Sequence, residues 1–373
     1  MQMIRIVSRR LALVLMGLGL SATVSAAESL QSETMPLAAS QGLILDLVEA
    51  ASRAVAVGER GQILVSESRT EWRQVTDVPT RATLTAVDAV GDAVWAVGHD
   101  GTILASRDGG LTWTLQREDV LDTSPDADFD PRQGVPLLDI LMLDASRGFA
   151  VGAYSQLLRT ADGGATWSFV STAAHGSGTV ADEGEDDAYD VADDASGDTD
   201  SWTLSDEDLA MDEESDPHFN AIARTGSGAL LIVGERGAAF RSRDGGGSWE
   251  RIQLPYGGSM FGLIGYEGEH AVAFGMRGNA FETHDLGESW SAIETGTDLS
   301  LMGGTAWGDG GFALVGANGI VVLRDGPGDA PASQVYANAA HETPVLAGVL
   351  ARPNRDLVVS GEKGVDHFAP RRH

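Results

Sequence analysis

The stretch Ala96-Val97-Gly98-His99-Asp100-Gly101, followed by Ile103-Leu104 and closed by Ser106-Arg107-Asp108-Gly109-Gly110-Leu111-Thr112-Trp113, decides the fold because it recurs. Copies of its ending stand at Thr160–Trp167, Ser242–Trp249 and Thr283–Trp290, each reading S/T-x-D-x-G-x-S/T-W, and Trp72 closes a worn copy that begins at Ser66. The glycine that ends each preceding apolar run gives the longer series Gly58, Gly98, Gly152, Gly234, Gly275, Gly316 and Gly361, which is seven copies. The spacing is roughly 41 residues, stretched where the chain carries extra segments.

A period of about 40–45 residues holding several short strands is the mark of a β-propeller blade. Alternation and turn residues place the strands of the second copy at Leu84–Val90, Ala93–Val97, Thr102–Arg107 and Trp113–Leu115. The seventh copy offers only Val345–Leu350, Asp356–Ser360 and Val365–Phe368. Its fourth strand is expected from the N-terminal part of the mature chain, near Met35–Ala39, which would close the ring and leave no exposed sheet edge. The fold class expected is all-β, a seven-bladed propeller of four-stranded blades over residues 28–373.

Arg5, Arg9 and Arg10 precede an apolar run from Leu11 to Leu20 and the small residues Ala22, Ser25, Ala26 and Ala27. This is the pattern of a removable secretory signal over residues 1–27, too short for a membrane span. Ser8–Leu13 also resembles a weak twin-arginine signal. The expected location is therefore periplasmic or extracellular, with no stable membrane insertion.

With 55 Asp plus Glu against 25 Lys plus Arg, the formal charge is −30, the opposite of the basic footprint that nucleic acid needs. The absence of cysteine excludes disulfides, thiolate metal sites and cysteine nucleophiles. Two acidic insertions interrupt the repeat. Residues 118–136 carry six Asp or Glu before Arg132, and residues 171–217 carry 17 with no Lys or Arg, a composition that predicts disorder.

In the S/T-x-D-x-G-x-S/T-W runs, the aspartate can accept backbone N–H bonds within a tight turn while glycine supplies positive φ. Asp108, Asp162, Asp244 and Asp285 therefore read as turn-formers, and Trp113, Trp167, Trp249 and Trp290 as side chains that pack between blades. These are the motifs of the Asp-box, or BNR, repeat. Together with the V-G-x-x-G turn they make the chain resemble the photosystem II stability/assembly factor family of exported propellers. That resemblance implies a non-catalytic protein-binding propeller that assists assembly or stability of an envelope or membrane protein complex, without implying photosynthesis here.

The turns after the second strands should share one face with the blade-to-blade connections. There Arg60, Arg236, Arg277 and Lys363 occupy equivalent positions, with His99 and Tyr154 in the corresponding turns of blades two and three. These six are the candidate partner-binding residues. Both insertions should leave from this face, where the longer one could cover the basic residues and compete with a partner. The alternative is a glycan-binding or sialidase-like propeller, which would need an arginine triad, a Tyr/Glu pair and an F/Y-R-I-P motif. No such motif occurs, and the five tyrosines share no common context. No P-loop, G-x-S-x-G, H-E-x-x-H or EF-hand spacing is present either, so no catalytic residue, cofactor or metal site is predicted and a monomer is expected. His99 and His284 read as occupants of equivalent turns in different blades, hydrogen-bonding at the surface rather than ligating metal.

Overall fold

The computed structural model describes residues 31–32, 41–119, 133–172, 216–308 and 310–371. The expected signal segment, the expected closing strand at Met35–Ala39 and most of both acidic insertions lie outside the described residues. What is described forms seven antiparallel sheets, each strand paired with its neighbour in sequence, six sheets having four strands and the seventh three.

Why the chain makes strands here follows from what covers them. The second strand of every blade is buried, as in Ala54–Gly58 and Gly311–Gly316, with only Ala93 at the start of Ala93–Gly98 half-buried. A strand sandwiched by neighbouring blades on both faces has no polar side, so it reads as a continuous apolar run rather than an alternation. In the second blade the strands are Leu84–Val90, Ala93–Gly98, Ile103–Ser106 and Thr114–Arg117. The fourth begins one residue later than the sequence pattern suggests because Trp113 leaves the ladder to bury its ring, retaining 8% exposure.

All five tryptophans at the ends of the repeat pack against the blade that precedes their own. Trp113 joins Val55, Val57 and Val65 of the first blade, Trp167 joins Trp95 and Val97 of the second, and Trp249 joins Phe149 and Val151 of the third. Trp290 lies with Val233 and Ala239 of the fourth blade. Trp72 lies with Leu350, Val358 and Val365 of the seventh, so the last blade packs on the first and the ring is closed. The inner strands confirm the order: each touches the next, and Leu346–Ala351 touches Ile44–Glu49.

The aspartate turns have the expected hydrogen-bond geometry. Ser106 Oγ and the Leu111 and Thr112 N–H groups donate to Asp108 Oδ1 at 2.7, 3.0 and 2.9 Å, and Thr112 Oγ1 donates to Oδ2 at 2.6 Å. Asp162, Asp244 and Asp285 accept the same kinds of bonds. Burial is the largest single effect and pushes the Asp108 carboxyl up, but those donors together outweigh it and hold the carboxyl down at about 2. Each of the four carboxylates is thus hydrogen-bonded within its own loop.

Candidate functional site

Hydrogen bonds sort the turns into two faces. On one face the turn after each second strand binds the segment that leads into its own inner strand: Glu59 N–H to Leu43 O, His99 N–H to Thr83 O, Glu235 N–H to His218 O and Met276 N–H to Ser259 O. The same turns also bind the blade-to-blade connections, through Gly61 N–H to Ala82 O and Gly237 N–H to Gly258 O. On the other face the aspartate turns bind the turns between first and second strands, as in Gly109 N–H to Asp92 O and Leu286 N–H to Glu269 O. The described ends of the insertions join the first, connection face: Asp119 N–H donates to Asp100 O, and Ser155 N–H donates to Pro217 O.

All six predicted contact residues are exposed on the connection face. Arg60, Tyr154, Arg236 and Arg277 are held at φ between 51 and 56°, a left-handed conformation that costs a bulky side chain about 1 kcal/mol or more. Asp100 and Asn318 occupy the same position in blades two and six, so the turn imposes the conformation and the side chain varies. Lys363 differs. Gly361 pairs with Gly364, leaving Glu362-Lys363 as a two-residue hairpin turn, and Lys363 Nζ lies 3.4 Å from Glu342. Tyr154 meets His218 edge-on at 5.1 Å.

His99 and His284 do not share a turn type. His99 lies in a connection-face turn, whereas His284 precedes the aspartate of a turn on the opposite face, which corrects the equivalence read from sequence.

Sequence reasoning did not foresee which residues line the tunnel. Every inner strand carries a register shift after its first pair, for example between Ile44 and Asp46 and between Leu301 and Gly303. The extra residue in each case lines a central cavity of about 300 Å³, to which all seven blades contribute. Leu45, Leu138, Phe261 and Met302 make its connection-face end largely apolar, and Met302 is 41% exposed. Thr85 and Asn220 hold two of the joints there, donating to Leu137 O and Met260 O.

Three aspartates stand on successive inner strands on one side, and Asp46 and Asp139 line the cavity. Asp46 accepts the Val87 N–H of the second blade at 2.8 Å, Asp88 the Met142 N–H of the third at 2.6 Å, and Asp139 the Ile222 N–H of the fourth at 2.8 Å. Each also accepts the N–H of the residue that follows it. They bridge three successive joints between blades. Burial, opposed by these N–H donors, pushes their carboxyls up to about 7, 6 and 8 respectively, and mutual repulsion adds to the rise at Asp46 and Asp139. The other side of the tunnel uses glycine instead. A Cβ on Gly303 would meet the Ala347 carbonyl at 2.2 Å, and one on Gly348 would meet Leu47 at 2.9 Å.

On the opposite face, arginines are consumed in joints between blades. Arg53 donates to Asp108 O, Arg107 donates to Gly163 O and lies over the Trp95 ring, and buried Arg241 pairs with Glu250 and Glu288. Arg324, 3% exposed, forks onto Glu282 at 2.7 and 2.9 Å. Glu282 also meets His270, which Tyr266 and His284 flank with stacked rings. Burial pushes the Glu282 carboxyl up, but its bonds from Arg324 and His270 outweigh that and hold it below its ordinary value. Burial also holds His270 below its ordinary value.

No protein-family model matches the sequence, and no curated protein resembles it detectably. The fold does have close counterparts among solved structures. YCF48 bound to D1 peptide superposes with a TM-score of 0.58 at 15% identity, covering 89% of this chain and 93% of that one. YCF48 from Cyanidioschyzon merolae gives 0.60 at 13% identity, covering 91% and 97%. The Niastella koreensis GH74 enzyme gives 0.59 at 12% identity over 91% of this chain and 53% of that one. At these identities the likeness shows the propeller fold alone.

Proposed function

We propose that the chain is an exported, monomeric, non-enzymatic binding propeller that docks a protein partner on its connection face and assists assembly or stability of an envelope or membrane complex. One observation carries this reading. In a chain of net charge −30, Arg60, Arg236, Arg277 and Lys363 stand exposed on the face that surrounds the apolar tunnel mouth. Basic side chains around an apolar opening suit a partner segment bearing a carboxylate and an apolar side chain. The fold shared with YCF48, one structure of which holds a D1 peptide, supports the same class of role. Export and membership of the Asp-box repeat family belong to this proposal and rest on the N-terminal pattern and the repeated motifs.

The test is a crosslinking pulldown from the envelope fraction with the wild-type chain and an R60Q/R236Q/R277Q/K363Q variant. The expected result is a partner retained by wild type and lost by a variant of unchanged thermal stability. Equal recovery by both proteins would remove the basic residues from the contact. The glycan reading needs arginines converging on the tunnel; among the described residues that line the tunnel there are aspartates and no arginine.

A further inference from the structure

We propose that His270, Glu282 and His284 form a binding site for a borderline divalent transition-metal cation, Zn²⁺ foremost, on the face opposite the connections.

The register brings the three together. Ala271 pairs with Thr283 and Val272 with Glu282, so one step further along the ladder His270 stands opposite His284. Side chains two apart on a strand share a face, which puts Glu282 beside both imidazoles on the side of blade five that meets blade six. His270 Nε2 is 2.7 Å and His284 Nε2 3.9 Å from Glu282 Oε1, and the three donor atoms all fall within 4.8 Å of one another. Ligands at about 2.0–2.2 Å from a tetrahedral Zn²⁺ lie about 3.3 Å apart, between those two distances. Closing the longer gap needs only His284 to move, and its side chain is 67% exposed.

The surroundings are those of a supported site. Arg324 fixes the carboxylate from blade six, and Tyr266 stacks on His270 with ring centroids 4.4 Å apart, while its hydroxyl donates to Gly311 O. Such outer partners orient ligands and tune affinity. The positive charge of Arg324 also weakens cation binding, so the affinity expected is moderate. Two imidazoles and one carboxylate select zinc, cobalt, nickel or copper over calcium or magnesium, which prefer oxygen alone. Three protein ligands leave a position open to water. His270 also borders a cavity of about 600 Å³ with Arg224, Thr225, Glu267 and Pro327, room enough for a small anion or a partner's side chain to complete the coordination.

Isothermal titration of the tag-free, chelator-treated mature chain with Zn²⁺ tests this, alongside H284A. His284 is exposed, so its removal should leave the fold intact, which thermal unfolding without metal checks. The expected result is one site per chain in wild type, weakened more than about 100-fold in H284A, because outer-partner changes alone cost about 10–100-fold. Co²⁺ in place of Zn²⁺ should give the visible absorption of a low-coordinate nitrogen and oxygen site in wild type only. No one-to-one binding, or binding of equal strength in H284A, as the acidic insertions alone would produce, overturns the proposal.

Discussion

Replacing Asp139 by asparagine should flatten the dependence of stability on pH. The folded carboxyl titrates at about 8 against 3.8 in the unfolded chain, so the unfolded state releases its proton first. A carboxyl raised by folding stabilises fully below the unfolded value and loses that contribution as pH rises through the folded one. The slope is about 1.4 kcal/mol per pH unit between the two values. From pH 5 to pH 8 the wild type therefore loses roughly 3–4 kcal/mol through this residue, after rounding near the folded value. Asparagine does not titrate, but its amide nitrogen cannot accept the Ile140 or Ile222 N–H that Asp139 binds at 2.8 Å. One donor is left unmet at every pH, costing about 1–3 kcal/mol. Between pH 5 and pH 8 the difference in stability should thus move by roughly 3–4 kcal/mol in favour of D139N, leaving the variant the more stable protein at pH 8. Asp46 and Asp88 act in the same sense in both proteins, so the difference reads Asp139 together with its repulsion from those two carboxylates. Urea unfolding followed by tryptophan fluorescence at pH 5, 6, 7 and 8, at one ionic strength, measures it. A gap of the same size at all four values would refute the reasoning, since the carboxyl would then be ionised in both states throughout.

Three further outcomes are expected. Trp72→Ala should destabilise the whole ring by about 3–5 kcal/mol, because the ring it removes packs where the seventh blade meets the first; thermal unfolding that keeps its single transition and midpoint would show that this joint is held otherwise. Asp108→Ala should cost about 1–3 kcal/mol at pH 7, and because the carboxyl sits at about 2 when folded, the loss should vanish as pH falls from about 4 to 2; chemical denaturation across that range reads it. Deleting residues 176–215 should raise affinity for the partner and weaken its salt dependence if the acidic tract competes for the basic residues; equal binding curves at low and high salt for both proteins would end that idea.

Much of this molecule is written locally. Asp108, Gly109, Gly110 and Trp113 interact within one turn and one joint, so the repeated motif discloses the blade, the number of blades and the two sets of turns without any knowledge of distant contacts. Even the third-strand end of the seventh blade is legible, because turn residues and apolar runs act over a few positions. The placement of Arg60, Arg236 and Arg277 on one face follows from repeat position alone, since equivalent turns of a ring must emerge together. What no local pattern could show depends on register and on closure. The shift of one residue at the start of each inner strand turns Leu45, Phe261 and Met302 into the tunnel, and it leaves no mark in the spacing of apolar residues. Asp46, Asp88 and Asp139 look like ordinary surface aspartates until the next blade's backbone N–H groups arrive beside them. His270 and His284 belong to different strands, and Arg324 to a different blade, so only antiparallel pairing and radial packing join them around one carboxylate. Short-range hydrogen bonding fixes the unit; the ring, which brings together side chains 40 or more residues apart, decides what the units surround.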